Sequence, residues 1–226
     1  MPSVSAPPRT ALLAGATGLV GRALLAQLLL DTRTSRVHAL VRRSVAGIEA
    51  HAKLQMHSVN FNHPAALPRS DDVYIALGTT LKVAGSRAAF QLVDRDYVIA
   101  VARAARAAGA RRLAVVSALG ADPLSRVFYN RIKGEMEAAI GHLDFECITV
   151  ARPALLMGDR GGLGQPERRG ESLALRLSAP LLGWLPRGIR PIAARDVAAA
   201  LIAATHLGTP GVRVLSSAQM QGADRR

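Results

Sequence analysis

Three side chains in the middle of the chain could move a proton. Ser117 closes the apolar run LAVVS, and Tyr129 and Lys133 stand four residues apart in FYNRIKGEME. On a helix, that spacing puts the phenol and the ammonium on one face. A free tyrosine titrates at about pH 10 and exchanges its proton poorly at neutral pH. A neighbouring ammonium favours the phenolate and lowers that value, which would make Tyr129 a usable general acid or base. A serine at the adjacent strand end could orient the oxygen that takes part in the exchange.

A second group of residues could hold a phosphate. Residues 15–21 read GATGLVG, with glycines at 15, 18 and 21. A strand-to-helix turn needs one residue that tolerates an unusual φ, a pyrophosphate needs one without a side chain, and helix–strand packing needs a third small one. The helix that follows offers free N–H groups and the positive end of its dipole. Gly15, Thr17, Gly18, Leu19, Val20 and Gly21 are therefore the candidate cradle for a dinucleotide. An NAD-selective site places a carboxylate at the end of the next strand, about 20 residues on, to bind the ribose 2′-hydroxyl. This chain has Arg42 and Arg43 there. Guanidinium groups bind a 2′-phosphate through forked, charge-assisted hydrogen bonds, so NADP(H) is the expected cofactor.

These residues must be positioned by alternating strands and helices. The apolar runs predict strands at Thr10–Ala14, Val37–Val41, Leu54–Val59, Val73–Leu77, Leu113–Val116, Phe145–Val150 and Val212–Leu215. Helices are expected over Leu19–Leu30, Arg87–Ala108 (one long Ala-rich helix closed by Gly109), Arg126–Ile140 and Asp196–His206. Such alternation argues for an α/β protein with a doubly wound, Rossmann-type parallel sheet. Residues 1–8 read as a loose tail and 9–226 as one domain. Residues 154–192 hold many of the Gly and Pro residues and are expected to form a small substrate lobe, with a short helix from Ser172 to Leu182 and a mobile loop over Gly161–Gly170. The last residues are expected to fray.

Composition narrows the function classes. The chain has 226 residues, half of them hydrophobic, which suits one compact core. Its formal net charge is +13, and only Lys53, Lys82 and Lys133 among the 29 basic residues are lysine. The arginines are scattered and only 4% of residues are aromatic, so no nucleic-acid partner is expected. No apolar run reaches membrane-spanning length without a break. The single cysteine, Cys147, excludes an internal disulfide and reads as a buried thiol in a cytoplasmic protein. The six histidines show no metal-ligand spacing, His57 and His63 standing six residues apart and no two lying closer. A monomer or a homodimer is expected.

Taken together, GxxGxxG, a serine at the fifth strand and YxxxK resemble the short-chain dehydrogenase/reductase superfamily on its atypical side. ALGTT (76–80), VDRDYV (93–98), SALGAD (117–122), KGEME (133–137) and ARPALL (151–156) bring the chain nearer to the small NADPH-binding oxidoreductase-like proteins related to TIP30. The resemblance implies that Tyr129 is the acid/base, that Lys133 also holds the nicotinamide ribose, and that Ser117 holds a substrate carbonyl. It places Leu77, Gly78 and Thr79 beside the adenine ribose, Asn60 near the adenine and Pro153 beside the nicotinamide. It implies hydride transfer between the nicotinamide and a small carbonyl or alcohol, with a non-catalytic NADP(H)-binding regulator or assembly factor as the alternative. Asp94 or a neighbour stands where typical members have a relay asparagine.

Overall fold

The computed structural model describes residues 7–42, 48–157, 186 and 188–225. Arg43, the 161–170 loop, the 172–182 helix and most of the tail lie outside them. Seven strands run parallel: β1 (Arg9–Ala14), β2 (Thr34–Val41), β3 (Leu54–Ser58), β4 (Asp72–Ile75), β5 (Arg112–Val116), β6 (Cys147–Arg152) and β9 (Gly211–Ser216). Their spatial order is β3-β2-β1-β4-β5-β6-β9. The chain winds outward from β1 in one direction, then returns to β4 and winds in the other. This is the doubly wound Rossmann arrangement, and ligands bind where the direction reverses, outside the carboxyl ends of β1 and β4.

Both faces of the sheet are covered, as continuous apolar strands require. Alternate side chains of β1 point to opposite sides. Ala11 and Leu13 pack with Leu24 and Leu28 of α1 (Leu19–Leu30) and with Val197 and Leu201 of α6 (Ala194–Leu207). Leu12 and Ala14 pack with Val98, Val101 and Ala102 of α4 (Tyr97–Ala107) and Met136 and Ile140 of α5 (Phe128–Gly141).

The structure departs from the sequence reading in four places. The helix expected over 87–108 is preceded by a short α2 (Leu81–Ala84). It then runs as α3 (Arg87–Gln91), a π-helical turn (Leu92–Asp96) and α4. Thr80 and Ser86 cap α2 and α3 by accepting from Val83 N and Ala89 N, and Gly85 turns the chain between them at φ +77°. Gly109 follows α4 at φ +102°, in the position that ends a helix. Second, β6 is displaced toward Arg152, because its backbone pairs with β5 from Cys147 onward. Third, Leu156–Met157 (β7) and Ile192–Ala193 (β8) form a small parallel pair. Fourth, the end does not fray at Ser216: its hydroxyl and the Gln219 amide form a capping box that starts α7 (Ser217–Met220).

Candidate active site

The three glycines of the first turn have different reasons to be glycine. Gly15 sits at φ +92°, and a Cβ there would lie 2.5 Å from the Ala76 carbonyl oxygen at the end of β4. Gly21 faces back onto the turn, where a Cβ would lie 1.8 Å from Gly15 O. Both are required by the chain's own packing. Gly18 is not: its backbone is extended (φ −78°, ψ 170°) and an added Cβ would come no nearer than 3.5 Å to Gly15 O. A side chain at 18 would therefore make ordinary contacts rather than clash with the chain's own backbone. Gly18 is also the N-cap of α1, where it offers no capping side chain, and the first turn holds no acidic residue. The first N–H groups of the helix are thus left for an anion. The cradle fits a dinucleotide pyrophosphate.

The remaining cofactor candidates ring the same carboxyl edge. Arg42 is exposed, one residue beyond β2. Leu77, Gly78 and Thr79 follow β4, beside the Gly15 turn. Asn60 follows β3, exposed, and accepts from Asn62 N. Pro153 is buried after β6, and its carbonyl accepts from Leu119 N at 3.0 Å.

Helix α5 carries Tyr129, Lys133 and Glu137 at successive four-residue steps. Its position is set by the 118–127 loop, which passes so close that a Cβ on Gly134 would lie 2.2 Å from the Asp122 carbonyl carbon. Asp122 N also donates to Asn130 O. Lys133 is 3% exposed, and its ammonium lies 2.8 Å from Oδ1 of Asp94, itself 1% exposed on the π turn. The other oxygen of Asp94 accepts from Thr79 N at 2.8 Å. A Cβ on Gly78 would sit 3.9 Å from Lys133 Nζ, so the lysine reaches the turn at the end of β4. Tyr129 packs against Phe90 of α3 at a ring separation of 5.5 Å. The expected lowering of its pKa is not found. Burial pushes the phenol up to about 12, and the Asp94 carboxylate adds to the rise.

Ser117 takes a different partner from the one expected. It is buried, and its hydroxyl donates to Glu137, whose carboxylate is held by Arg152 Nη2 at 2.5 Å. In this arrangement the hydroxyl is committed within the protein. Glu137 and Arg152 fall within the KGEME and ARPALL stretches but are not among the sequence-predicted site residues, although the i, i+4 ladder from Tyr129 through Lys133 is a signal for the first of them. Elsewhere, His57 meets His38 rather than His63, with Nδ1 and Nε2 2.9 Å apart. Cys147 is a buried free thiol that burial pushes up. Among the described residues no helix is long and apolar enough to cross a membrane.

Residues 15–175 match the NAD(P)H-binding family. Protein FMP52 of Eremothecium gossypii is 38% identical over 151 residues, which is 66% of this chain and 67% of that protein. Protein HTATIP2 of Rattus norvegicus is 35% identical over 172 residues, 74% of this chain and 69% of that one. Among solved structures, MoeE5 in complex with UDP-glucose and NAD superposes with a TM-score of 0.67 at 18% identity, over 91% of this chain and 75% of the other. WbmG of Bordetella bronchiseptica in complex with NAD gives 0.68 at 16%, over 96% and 75%. These two likenesses show the fold. The cytoplasmic expectation is overturned, since the FMP52 relatives are named as mitochondrial proteins. A lone cysteine excludes an internal disulfide but does not tell one reducing compartment from another. With more than half of its length matched and relatives of this identity, the chain belongs to the NAD(P)H-binding family.

Proposed function

We propose that this protein is an NADP(H)-dependent oxidoreductase acting on a small carbonyl or alcohol, with Tyr129 as general acid/base. The observation that carries the reading is the placement of Lys133. Its buried ammonium pairs with Asp94, whose other oxygen accepts from Thr79 N, and it lies beside Gly78 just after β4, the strand whose end meets the Gly15 turn; Tyr129 lies one helical turn before it. The nicotinamide, once bound, supplies or takes up the hydride. The protein's part is position and proton management. The cradle holds the pyrophosphate, Lys133 the nicotinamide ribose, and Tyr129 exchanges its phenolic proton with the substrate oxygen. Arg42, with Arg43, receives the 2′-phosphate. A screen of aldehydes, ketones and quinones for NADPH consumption tests the reading. At least one compound is expected to be turned over; a panel without turnover by a protein that still binds NADPH would sink it.

The second reading, a non-catalytic NADP(H)-binding regulator or assembly factor, draws support from one observation. Ser117 and Lys133 are both engaged by carboxylates of the chain itself. On that reading the screen is negative and cofactor binding is the whole function.

Cofactor choice gives a separate prediction. Hydrogen bonds to charged groups contribute about 1.5–3 kcal/mol each. With at least one such bond from each guanidinium, Arg42→Ala combined with Arg43→Ala is therefore expected to weaken NADPH binding by roughly a hundredfold or more and to leave NADH nearly unchanged. Calorimetry that finds NADPH and NADH equal in the parent protein would remove the assignment to NADP(H).

A further inference from the structure

We infer that the face formed by α2, α3 and the 118–127 loop docks on an anionic lipid bilayer. The inference goes beyond the proposed reaction and does not depend on it. It starts from large apolar side chains that the fold leaves in water. Leu81 and Val83 on α2 and Val127 before α5 are exposed, and Leu124 is 89% exposed. Helix α2 buries none of its residues, so its leucine and valine add nothing to the core. Apolar side chains exposed singly need no explanation, whereas several on one face mark a surface that meets something.

The segments form one face because aromatic contacts join them. Thr80 accepts from Val83 N at the start of α2, and Gly85, at φ +77°, turns the chain into α3. Phe90 of α3 is buried, and its ring lies 5.9 Å from that of Phe128, the first residue of α5. The Arg87 guanidinium lies 5.2 Å from the centre of the Phe128 ring. Val127 immediately precedes that ring and donates its N–H to Ser125 Oγ, while Leu124 N donates to Asp122. These local bonds satisfy the loop's backbone and leave its two apolar side chains outside. Phe90 also packs against Tyr129 at 5.5 Å, so the face borders the candidate site.

Charge selects the occupant. Lys82, Arg87 and Arg126 are exposed among these apolar side chains. Residues 77–91 contain no acidic residue, and 118–128 contain only Asp122. Elsewhere the chain holds arginines with its own carboxylates: Arg9 and Arg112 with Asp72, Arg33 with Asp31, and Arg95 with Glu135. Among the described residues, no carboxylate pairs with Lys82, Arg87 or Arg126. Apolar side chains interspersed with cations suit the surface of an anionic bilayer. The first enter the boundary of the acyl chains and the second meet the negative headgroups. A second copy of this chain seated face to face would bring the same three cations together, and like charges brought together oppose association.

Vesicle flotation of the full chain is the test. Vesicles of phosphatidylcholine with about 30% phosphatidylglycerol are expected to carry the protein, and pure phosphatidylcholine roughly tenfold less of it. Added salt should release it, because attraction between exposed charges is screened. Val83→Glu combined with Leu124→Glu is expected to weaken the partition by about tenfold or more. Lys82→Gln combined with Arg126→Gln should weaken it by roughly tenfold on the anionic vesicles. Both variants should melt as the parent does, since all four side chains are exposed. Val212→Glu is the control: Val212 is exposed at the opposite, amino end of the sheet, and this variant should float like the parent. A parent that does not float on anionic vesicles overturns the inference. So does a folded Val83→Glu, Leu124→Glu variant that floats like the parent, or binding that ignores lipid charge. A parent dimer without vesicles that the same variant dissociates would assign the face to a second copy instead. Flotation needs neither NADPH nor turnover, so its failure and that of the carbonyl screen are read separately.

Discussion

Gly18→Val is expected to give a folded protein that NADPH no longer stabilises, whereas Gly21→Ala is expected to damage the fold itself. The two positions lie three residues apart in one motif, yet the geometry separates them. At Gly21 the new methyl would lie 1.8 Å from Gly15 O, a backbone atom that cannot swing aside. Overpacked cores typically lose about 1–3 kcal/mol, and occasionally more. A clash with backbone belongs at or above the top of that range, which for a chain of this size lowers Tm by roughly 6–12 °C. At Gly18 the backbone already has φ and ψ that valine adopts readily, and the first protein atom is 3.5 Å away. The cost falls on whatever must cross the turn. With NADPH at 100 times its Kd, the parent gains about 2.7 kcal/mol. A thermal-shift series should show that gain in the parent and its loss in Gly18→Val. A parent-like NADPH shift in folded Gly18→Val would mean that the dinucleotide does not pass over this turn.

Some of the architecture is legible in the sequence because each layer is specified locally. The inner parallel strands β1, β4, β5 and β6 are buried on both faces, so they read as short apolar runs, and GATGLVG marks both the first turn and its consequence. What was not legible depends on residues far apart in the chain. A π turn adds its residue inside an apolar, Ala-rich stretch, where the helical pattern tolerates the insertion without a visible break. The Asp94–Lys133 pair then joins positions 39 residues apart. The same holds for Ser117, whose placement at a strand end was readable. Its partner Glu137 depends on how α5 lies across the sheet, and that in turn depends on Gly134 letting the 118–127 loop pass. The tyrosine–lysine spacing predicted a shared face correctly. It could not reveal that burial of the phenol, with a carboxylate from another element adding to it, would reverse the expected shift, or that this carboxylate would engage the lysine.

Tyr129→Phe is expected to keep NADPH binding and to lose about 10²–10⁴-fold in turnover of any carbonyl that the parent reduces. Phenylalanine preserves the ring that packs 5.5 Å from Phe90, so the fold and the cradle should be unaffected. It has no proton to give, and the substrate oxygen would have to gain charge without a partner. The pH dependence follows from the direction of the shift. Tyr129 is pushed up to about 12, so at neutral pH it is the phenol, the form that donates. Because kcat/KM reports groups of the free enzyme, reduction should hold its kcat/KM through the neutral range and fall only far on the alkaline side. The reverse oxidation, which needs the phenolate, should rise with pH over the same range. Lys133→Met should behave differently from Tyr129→Phe. It leaves Asp94 buried without its cation, a loss of about 3–5 kcal/mol, and it removes the proposed ribose contact, so stability and NADPH affinity should fall along with rate. Steady-state profiles of the parent and both variants, with thermal shifts beside them, separate these outcomes. A rate that survives Tyr129→Phe unchanged would leave NADPH chemistry in place and take the tyrosine out of it.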